Sequence, residues 1–259
     1  MNPQVHVLTV SDLPFDRIMV PERAIDSYGV PMLESCQRFN IPLENLSPVN
    51  QKVIYEGTTL LALAASRTAE FPPDDIVLVT DCWDVFFCCG LDEIRDKFLR
   101  LSTPVVISAE ANFFVVEDEG NVHGIYRHVY PKSPSRWRYA NAGGVIGRAK
   151  DMLAMWKSPD FWIPGTKSSQ GAYHHWFIKH GDTASLDTHC EIFLPLHHNW
   201  DKTANPELPP IMDVLEVCQT DSGLRVYNRE LDTYPCSIHG NGGYLKQAAG
   251  LWQQMKGTK

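Results

Sequence analysis

The chain has 259 residues, of which 44% are apolar, and a formal net charge of −8. This is enough to build one large α/β domain with a full core, so we expect a single domain over residues 1–259. The negative charge argues against nucleic-acid binding, and no apolar stretch reaches the roughly 18 residues that a membrane span needs. The N-terminal residues lack the pattern of a secretory signal, so we expect a cytoplasmic protein of bacterial or viral origin.

The strand-like and helix-like stretches alternate along the chain, which is typical of a layered α/β domain. The first predicted strand is Val5–Val10, and a Leu- and Ala-rich helix lies within Gln51–Arg67. The next predicted elements are a strand from Ile76 to Thr80, a helix over Leu91–Leu101 and a strand from Val105 to Ser108. The polar and proline-containing segment Glu117–Tyr139 is predicted to be a long loop.

The strand at Ile76 ends in Asp81-Cys82-Trp83-Asp84, which places two carboxylates at the end of an apolar run. Residues three apart point to opposite faces of a continued strand, so these acids can share an ion only if the chain turns there. Such a turn is where open α/β sheets bind ligands, so a divalent cation site is one interpretation, but the spacing alone favours the alternative that follows. The alternative is that Asp84 forms a turn or caps a helix and Asp81 is a solvated strand end.

Three further segments are candidates for the same cleft. Glu110 follows a predicted strand and could face the cleft or fix a loop through hydrogen bonds. Asn141–Gly147 combines glycines with apolar residues, which allows close backbone approach to a ligand or another strand. Ser168–Tyr173 begins a helical stretch that a serine can cap.

The segment His239–Gly243 is too glycine-rich for the interior of a helix or strand. It is typical of a loop whose backbone wraps phosphates while the imidazole reaches a metal, although a lone histidine in a turn is often structural. Six other histidines show no consistent ligand spacing and are interpreted as surface or packing residues: His174, His175, His180, His189, His197 and His198. The seven cysteines are odd in number and lack zinc spacing, so we expect free thiols in a reducing compartment.

Taken together, these segments resemble one family in their order along the chain. The chain is similar to the glycosyltransferase domain of the procollagen lysyl hydroxylases (PLOD-like), as a stand-alone member of that family. The residues that carry the resemblance are Val7–Val10, Gln51–Val53, Val77–Asp84, Val105–Glu110, Asn141–Gly147, Gln170–Tyr173, Leu186–Asp187, Ile192–Phe193 and Ile238–Gly242.

This resemblance implies a GT-A type nucleotide-sugar-binding fold, a Rossmann-like mixed sheet flanked by helices. It also implies a UDP-sugar donor and Mn2+, with Mg2+ as the alternative ion. By position, Asp81, Asp84 and His239 resemble the metal ligands, and Trp83 takes the place of the aromatic residue beside the uracil. The other implied donor contacts are Thr9, Val10, Ser11, Lys52, Gly240, Asn241 and Gly242, with Lys246 as a looser candidate. Asn141, Gln170 and Asp187 match positions on the sugar and acceptor side.

The chain also departs from the family pattern at two positions. Ser169 stands where the family has an acid before the glutamine, and Ala142 replaces a common serine. If transfer inverts the sugar configuration, Asp187 or Glu110 is the candidate base; if it retains configuration, no separate base is needed.

Three functions follow as hypotheses. The leading one is a metal-dependent glycosyltransferase that moves a sugar from a UDP-sugar to a hydroxyl of a glycan or glycoprotein. The second is a non-catalytic protein that binds a nucleotide sugar or carbohydrate in a retained cleft, which the loss of the acid at Ser169 favours. The third is a phosphohydrolase, for which a second acid is expected two residues after Asp81, where Trp83 stands.

Overall fold

The computed structural model describes residues 3–10, 30–46, 57–114, 128–162, 168–197 and 208–257. The strands within these ranges are Val5–Thr9 (β1), Leu43–Asn45 (β2), Ile76–Thr80 (β3), Val85–Phe87 (β4), Val105–Glu110 (β5), Tyr139–Arg148 (β6), Ala184–Leu186 (β7), Phe193–Pro195 (β8), Leu215–Thr220 (β9), Gly223–Asn228 (β10) and Ser237–His239 (β11). The helices are Val30–Arg38 (α1), Gly57–Thr68 (α2), Leu91–Leu101 (α3), Ala149–Lys157 (α4), Ser169–His180 (α5) and Leu245–Lys256 (α6).

The centre of the molecule is a six-stranded mixed sheet in the order β2-β1-β3-β6-β5-β7. Strand β6 runs antiparallel to both of its neighbours, whereas the other adjacent pairs are parallel. All residues of β3 and β5 are buried, because both faces of these strands are covered. This explains why the run Ile76–Thr80 is apolar almost without interruption.

Helices cover both faces of this sheet, and alternate residues of β3 divide between them. Val77 and Val79 belong to an apolar cluster with residues of α2, α4 and α5. Ile76 and Leu78 point the other way, into a cluster with residues of α1 and α3. The predicted α/β architecture, a mixed sheet flanked by helices, is confirmed.

A second sheet lies beyond the end of β3 and has the order β4-β11-β8. Strand β11 is antiparallel to β4 and parallel to β8. Helix α6 and the β9–β10 hairpin pack on this sheet through a third apolar cluster that includes Trp137 and Trp252. The pairing brings the C-terminal part of the chain beside the turn that follows β3.

Several predicted boundaries differ from the structure. Tyr139, expected in a loop, is the first residue of β6 because it pairs with Glu110 of β5. Residues 117–127 of that loop lie outside the described residues, as do residues 51–56 at the start of the segment in which the Leu- and Ala-rich helix is predicted. The single-domain organisation stays a prediction. In the part of the chain that the structure describes, every helix is too short or too polar to cross a bilayer.

Candidate active site

The turn between β3 and β4 brings Asp81 and Asp84 to the same place. The backbone bends over these residues, and β4 then begins at Val85. Val85 pairs with His239 of β11, so the imidazole lies beside both carboxylates. The Nε2 atom of His239 lies 3.2 Å from Oδ2 of Asp84 and 3.4 Å from Oδ2 of Asp81. One donor atom from each of the three residues lies within 4.8 Å of the other two.

The two aspartates perturb His239 strongly, and His239 in turn perturbs Asp84. Burial alone lowers the pKa of His239, but the negative charges and hydrogen bonds of Asp84 and Asp81 outweigh it and raise the value to about 10. Burial alone raises the pKa of Asp84, but the imidazolium of His239 outweighs this effect and lowers it. In the metal-free protein, a positive imidazolium therefore offsets part of the negative charge of the carboxylates.

Asn141 determines which nitrogen of His239 is available to a ligand. The backbone N–H of Gly143 donates to Oδ1 of Asn141 at 3.0 Å, and Nδ1 of His239 lies 3.2 Å from the same oxygen. Because Oδ1 only accepts, the imidazole donates through Nδ1, so Nε2 is the nitrogen that faces the carboxylates. In the metal-free protein Nε2 carries the second proton of the imidazolium, and a bound metal ion would displace that proton. An outer hydrogen bond of this kind is the usual way in which metal-binding histidines are oriented.

Gly143 is required by the close approach of β6 to this cluster. A Cβ atom at this position would lie 2.0 Å from Cε1 of His239 and 2.9 Å from Oδ2 of Asp81. The register of β6 against β5 shifts between Ile107 and Ser108, which produces a bulge in the glycine segment. The bulge brings Asn141 and Gly143 up against the imidazole.

The glycine turn after β11 is anchored to the same cluster. The N–H of Gly240 donates to the backbone oxygen of Asp84 at 2.7 Å. Gly242 has a φ of +60°, which lies in the left-handed region that favours glycine. Gly242 and Gly243 are exposed, so part of the turn borders solvent beside Asp81 and Asp84.

Glu110 is 1% exposed and connects three segments of the site. Its Oε1 accepts from Nε2 of Gln170 at 2.7 Å, and its Oε2 accepts from Nδ2 of Asn241 at 2.9 Å. Burial raises the pKa of Glu110 to about 7, although hydrogen bonds from Asn141, Gln170 and Asn241 and the charge of His239 oppose the rise.

Backbone groups fix the orientation of the two amide side chains that donate to Glu110. Oε1 of Gln170 accepts from the N–H of Ala142 at 2.6 Å, and Oδ1 of Asn241 accepts from the N–H of His197 at 3.1 Å. Each amide therefore presents its NH2 group to the carboxylate. Glu110 thus connects loops through hydrogen bonds, and its role as a candidate base stays a prediction.

Asp187 has a different set of contacts from those expected of a base. Its carboxylate is 2% exposed and accepts from the N–H groups of Glu191, Ile192 and Phe193 at 2.7 to 2.9 Å. Burial raises its pKa, although these three hydrogen bonds oppose the rise. Asp187 holds the chain at the start of β8, and the base role predicted for it is not carried into the proposed function.

The other residues predicted to contact the nucleotide-sugar donor lie in several parts of the chain. Thr9, at the end of β1, is buried and donates through Oγ1 to the backbone oxygen of Thr80 at 2.8 Å, so it ties β1 to β3. Val10 follows it, and Trp83 is half-buried in the turn between the two aspartates. Ser11 and Lys52 lie outside the described residues, and Lys246 is exposed in the first turn of α6.

The sequence reasoning missed His197 as a residue of the site. It was interpreted as a surface or packing residue, but Nδ1 lies 3.8 Å from Oε2 of Glu110 and the backbone N–H binds Asn241. Its position follows from the parallel pairing of β8 with β11, in which Pro195 is opposite His239. The signal is a pairing of distant strands, so no local motif marks the residue.

A second group of potential ligands lies away from the turn. Side-chain donor atoms of Cys89, Glu93 and Cys236 lie within 4.8 Å of one another, although the cysteine spacing does not predict zinc. The Glu93 carboxylate is already bound by both terminal nitrogens of Arg225, at 2.8 and 2.9 Å. Because Lys97 also lies 3.2 Å from Glu93, this cluster is electrostatically satisfied without a cation.

The residues of the first cluster do fit a divalent cation. Two carboxylates and an imidazole suit Mn2+, whereas Mg2+ prefers oxygen ligands alone. The side chain of Asp81 is 56% exposed and that of Asp84 26%, while that of His239 is 6% exposed. The protein therefore supplies ligands from one side and leaves the other side open to a substrate.

Comparison with known proteins agrees with this geometry. The sequence model of the PLOD GT domain matches residues 59–251. The chain is 28% identical over 224 residues to procollagen-lysine,2-oxoglutarate 5-dioxygenase 1 of Pongo abelii, which covers 80% of this chain and 27% of that protein. The corresponding protein of Drosophila melanogaster is 29% identical over 171 residues, covering 66% of this chain and 22% of its own length. The chain thus spans about a quarter of the length of these relatives.

The fold comparison includes mouse xyloside xylosyltransferase 1 in its apo form. The two structures superpose with a TM-score of 0.53 over 93% of this chain and 99% of the other, at 13% sequence identity. At this identity the likeness concerns the fold, which is of the GT-A type. The chain belongs to the PLOD GT domain family and has the GT-A fold of a glycosyltransferase.

Proposed function

We propose that the chain is a metal-dependent glycosyltransferase that moves a hexose or pentose from a UDP-sugar to a hydroxyl of a glycan or glycoprotein. The observation that carries this proposal is the convergence of Asp81, Asp84 and His239 beside the glycine turn 240–243. Such a group of ligands suits a divalent cation and a turn of this kind suits a diphosphate, and family membership connects both to sugar transfer.

In this proposal Asp81, Asp84 and His239 hold Mn2+, with Mg2+ as the alternative. The ion supplies positive charge for the diphosphate that leaves the sugar. Asn141 keeps the imidazole in the tautomer whose Nε2 is a ligand, and Gly143 leaves room for it. In this proposal both residues orient the metal ligands.

The glycine turn and Trp83 are proposed to bind the rest of the donor. The exposed backbone at Gly242 and Gly243 faces solvent beside the carboxylates, where a diphosphate would bridge to the ion. The half-buried indole of Trp83 offers a flat surface for the uracil ring, a contact worth about 1–3 kcal/mol by analogy with base stacking. Asn241 is held by Glu110 and positions the turn.

The buried state of Glu110 and Asp187 favours transfer with retention of the sugar configuration. Both carboxylates considered as bases are committed to hydrogen bonds within the protein. A retaining reaction in which the acceptor attacks from the side of the leaving group needs no separate base. In this route the acceptor hydroxyl passes its proton to the departing phosphate oxygen.

The direct test is a panel of UDP-hexoses and UDP-pentoses, with UDP release as the readout. We expect at least one donor to give UDP release with Mn2+, loss of that release with excess EDTA, and recovery when Mn2+ is added back. Turnover that is unchanged by chelation would contradict the assigned role of Asp81 and Asp84. NMR of the transferred sugar then determines whether the configuration is retained.

One observation keeps a second function open, that of a non-catalytic protein that binds nucleotide sugars. Ser169, at the first position of α5, stands where the family has an acid, and Ser168 beside it caps the helix by accepting from the N–H of Gly171 at 3.0 Å. Calorimetry that shows UDP-sugar binding with Mn2+, together with no hydrolysis and no transfer, would favour this function. The cytoplasmic location remains part of the proposal.

A further inference from the structure

His197 lies directly beneath the glycine turn that follows β11. It is 4% exposed and comes two residues after β8, which runs parallel to β11. The N–H of Leu196 donates to the backbone oxygen of His239 at 2.9 Å, and the N–H of His197 donates to Oδ1 of Asn241 at 3.1 Å. The segment 196–197 is therefore attached to the turn at two consecutive positions.

The imidazole of His197 packs against the backbone of Gly242. A Cβ atom on Gly242 would lie 2.3 Å from Cγ, 2.4 Å from Nδ1 and 2.6 Å from Cδ2 of the ring. These distances are far below van der Waals contact, so the flat ring fills the space that a side chain would need. Because Gly242 has a φ of +60°, it has the freedom to rest on the ring in this conformation.

The ring also has neighbours away from Gly242. Nδ1 lies 3.8 Å from Oε2 of Glu110, and the ring centroid lies 6.0 Å from that of Tyr244. Glu110 in turn accepts from Asn241 at 2.9 Å. His197 thus fills the space between the turn and the buried carboxylate that holds it, and its removal leaves a cavity beneath Gly242.

We propose that His197 is a positioning residue that holds the backbone of Gly242 in the position needed to bind the donor diphosphate. This inference rests on the proposed function, because it assigns the turn to a nucleoside diphosphate. His197 acts through Gly242 and Asn241 and does not touch the reacting atoms. Its contribution therefore lies in donor affinity and much less in the rate of the chemical step.

The first test compares His197→Ala with His197→Asn. Asparagine keeps a planar group whose Cγ and two terminal atoms correspond to the three ring atoms closest to Gly242. For His197→Ala we expect the KM for the UDP-sugar and the Kd for UDP with Mn2+ to rise about tenfold, with kcat changed less than about threefold. For His197→Asn we expect both constants to stay within about threefold of the wild type.

The matched control is His175→Ala, which removes another buried histidine, located on α5. The charged groups that influence its pKa are Lys179, Asp160 and His180, none of which belongs to the glycine turn. We expect this variant to lose thermal stability while UDP affinity stays near the wild-type value. An equal loss of UDP affinity in the His175 and His197 variants would overturn the inference, because it would indicate a general structural effect.

A double-mutant cycle tests the contact itself. Gly242→Ala should weaken UDP binding strongly, because the added methyl group collides with the ring. In the His197→Ala background the same methyl group has room, so the double variant should bind UDP better than Gly242→Ala alone. Additive losses in the cycle would overturn the inference.

The UDP-binding measurements also separate this inference from the proposed function. If the wild-type protein binds neither UDP nor a UDP-sugar in the presence of Mn2+, the proposed function fails. If the wild type binds UDP and His197→Ala binds it equally well, only the positioning role of His197 fails. Thermal unfolding of each variant shows whether it is folded under the conditions of the binding measurement.

Discussion

Replacement of Glu110 by glutamine should change how the stability of this protein depends on pH. Burial raises the pKa of the Glu110 carboxyl from an ordinary value of 4.5 to about 7. Between these two values the folded protein holds a proton that the unfolded chain releases. The contribution of Glu110 to the free energy of unfolding is therefore greatest below pH 4.5 and is lost as the pH rises toward 7.

The size of this loss follows from the pKa difference. At about 1.4 kcal/mol per pH unit, the change from 4.5 to about 7 corresponds to about 3 kcal/mol of unfolding free energy. Glutamine cannot ionise, so the variant lacks this loss. Glutamine has its own cost, because Gln170 and Asn241 both present NH2 groups to residue 110 and the new side chain can accept through one oxygen only. The unsatisfied buried donor costs about 1–3 kcal/mol at every pH.

Above neutral pH, the glutamine variant gains stability because residue 110 is not ionised, and it loses stability because one buried donor is unsatisfied. We expect Glu110→Gln to be less stable than the wild type at pH 5, and this difference to shrink by about 3 kcal/mol by pH 8.5. Urea unfolding at several pH values, with EDTA present and tryptophan fluorescence as the probe, measures it. Titrating groups distant from Glu110 are common to both proteins and cancel in the difference, and His239, whose pKa is about 10, keeps its proton through this pH range. A difference that does not change with pH would refute the argument.

Three further outcomes follow from the site. Gly143→Ala should displace the His239 imidazole and weaken Mn2+ binding by at least about tenfold, as measured by isothermal calorimetry. The control is Gly250→Ala in α6, where the added methyl group has open space, and this variant should bind Mn2+ as the wild type does. Asp187→Ala should lower the unfolding free energy by about 3 kcal/mol or more, because three backbone donors lose their acceptor. A variant that keeps wild-type stability but has a reduced kcat would instead support a role for Asp187 as the base. Because the pKa of His239 is about 10 without metal, Mn2+ binding at pH 7.5 should release close to one proton. Calorimetry in buffers of different ionisation enthalpy measures this release, and its absence would contradict the assignment of His239 as a ligand.

Much of the fold was predictable because it depends on local patterns. The buried run Ile76–Thr80 and the strand at Val105 were readable as interior strands, since both faces of each are covered. The spacing of Asp81 and Asp84 alone favoured a turn former and a solvated strand end, and it was the family resemblance that pointed to a shared metal site. The predicted bounds of the helix Leu91–Leu101 match the structure, whereas the start of β6 was missed because pairing with Glu110 extends this strand to Tyr139.

The contacts inside the site depend on pairings between distant parts of the chain. Strand β11 pairs with β4 and β8, and this alone places His239 beside Asp84 and His197 beneath Gly242. No periodicity reveals such pairings, so the ordered family resemblance was needed to bring His239 to the aspartates. It did not identify His197. Its assignment of Asp187 to the acceptor side stays a prediction, beside the three backbone donors that bind this carboxylate in the structure.

The most direct test of the central claim is the number of Mn2+ ions bound per chain in the presence of UDP, measured by electron paramagnetic resonance. We predict one ion in the wild type, and a loss of affinity of at least about a hundredfold in Asp84→Asn and His239→Ala while both remain folded by circular dichroism. Wild-type affinity in either folded variant would show that Asp84 and His239 do not bind the cation together.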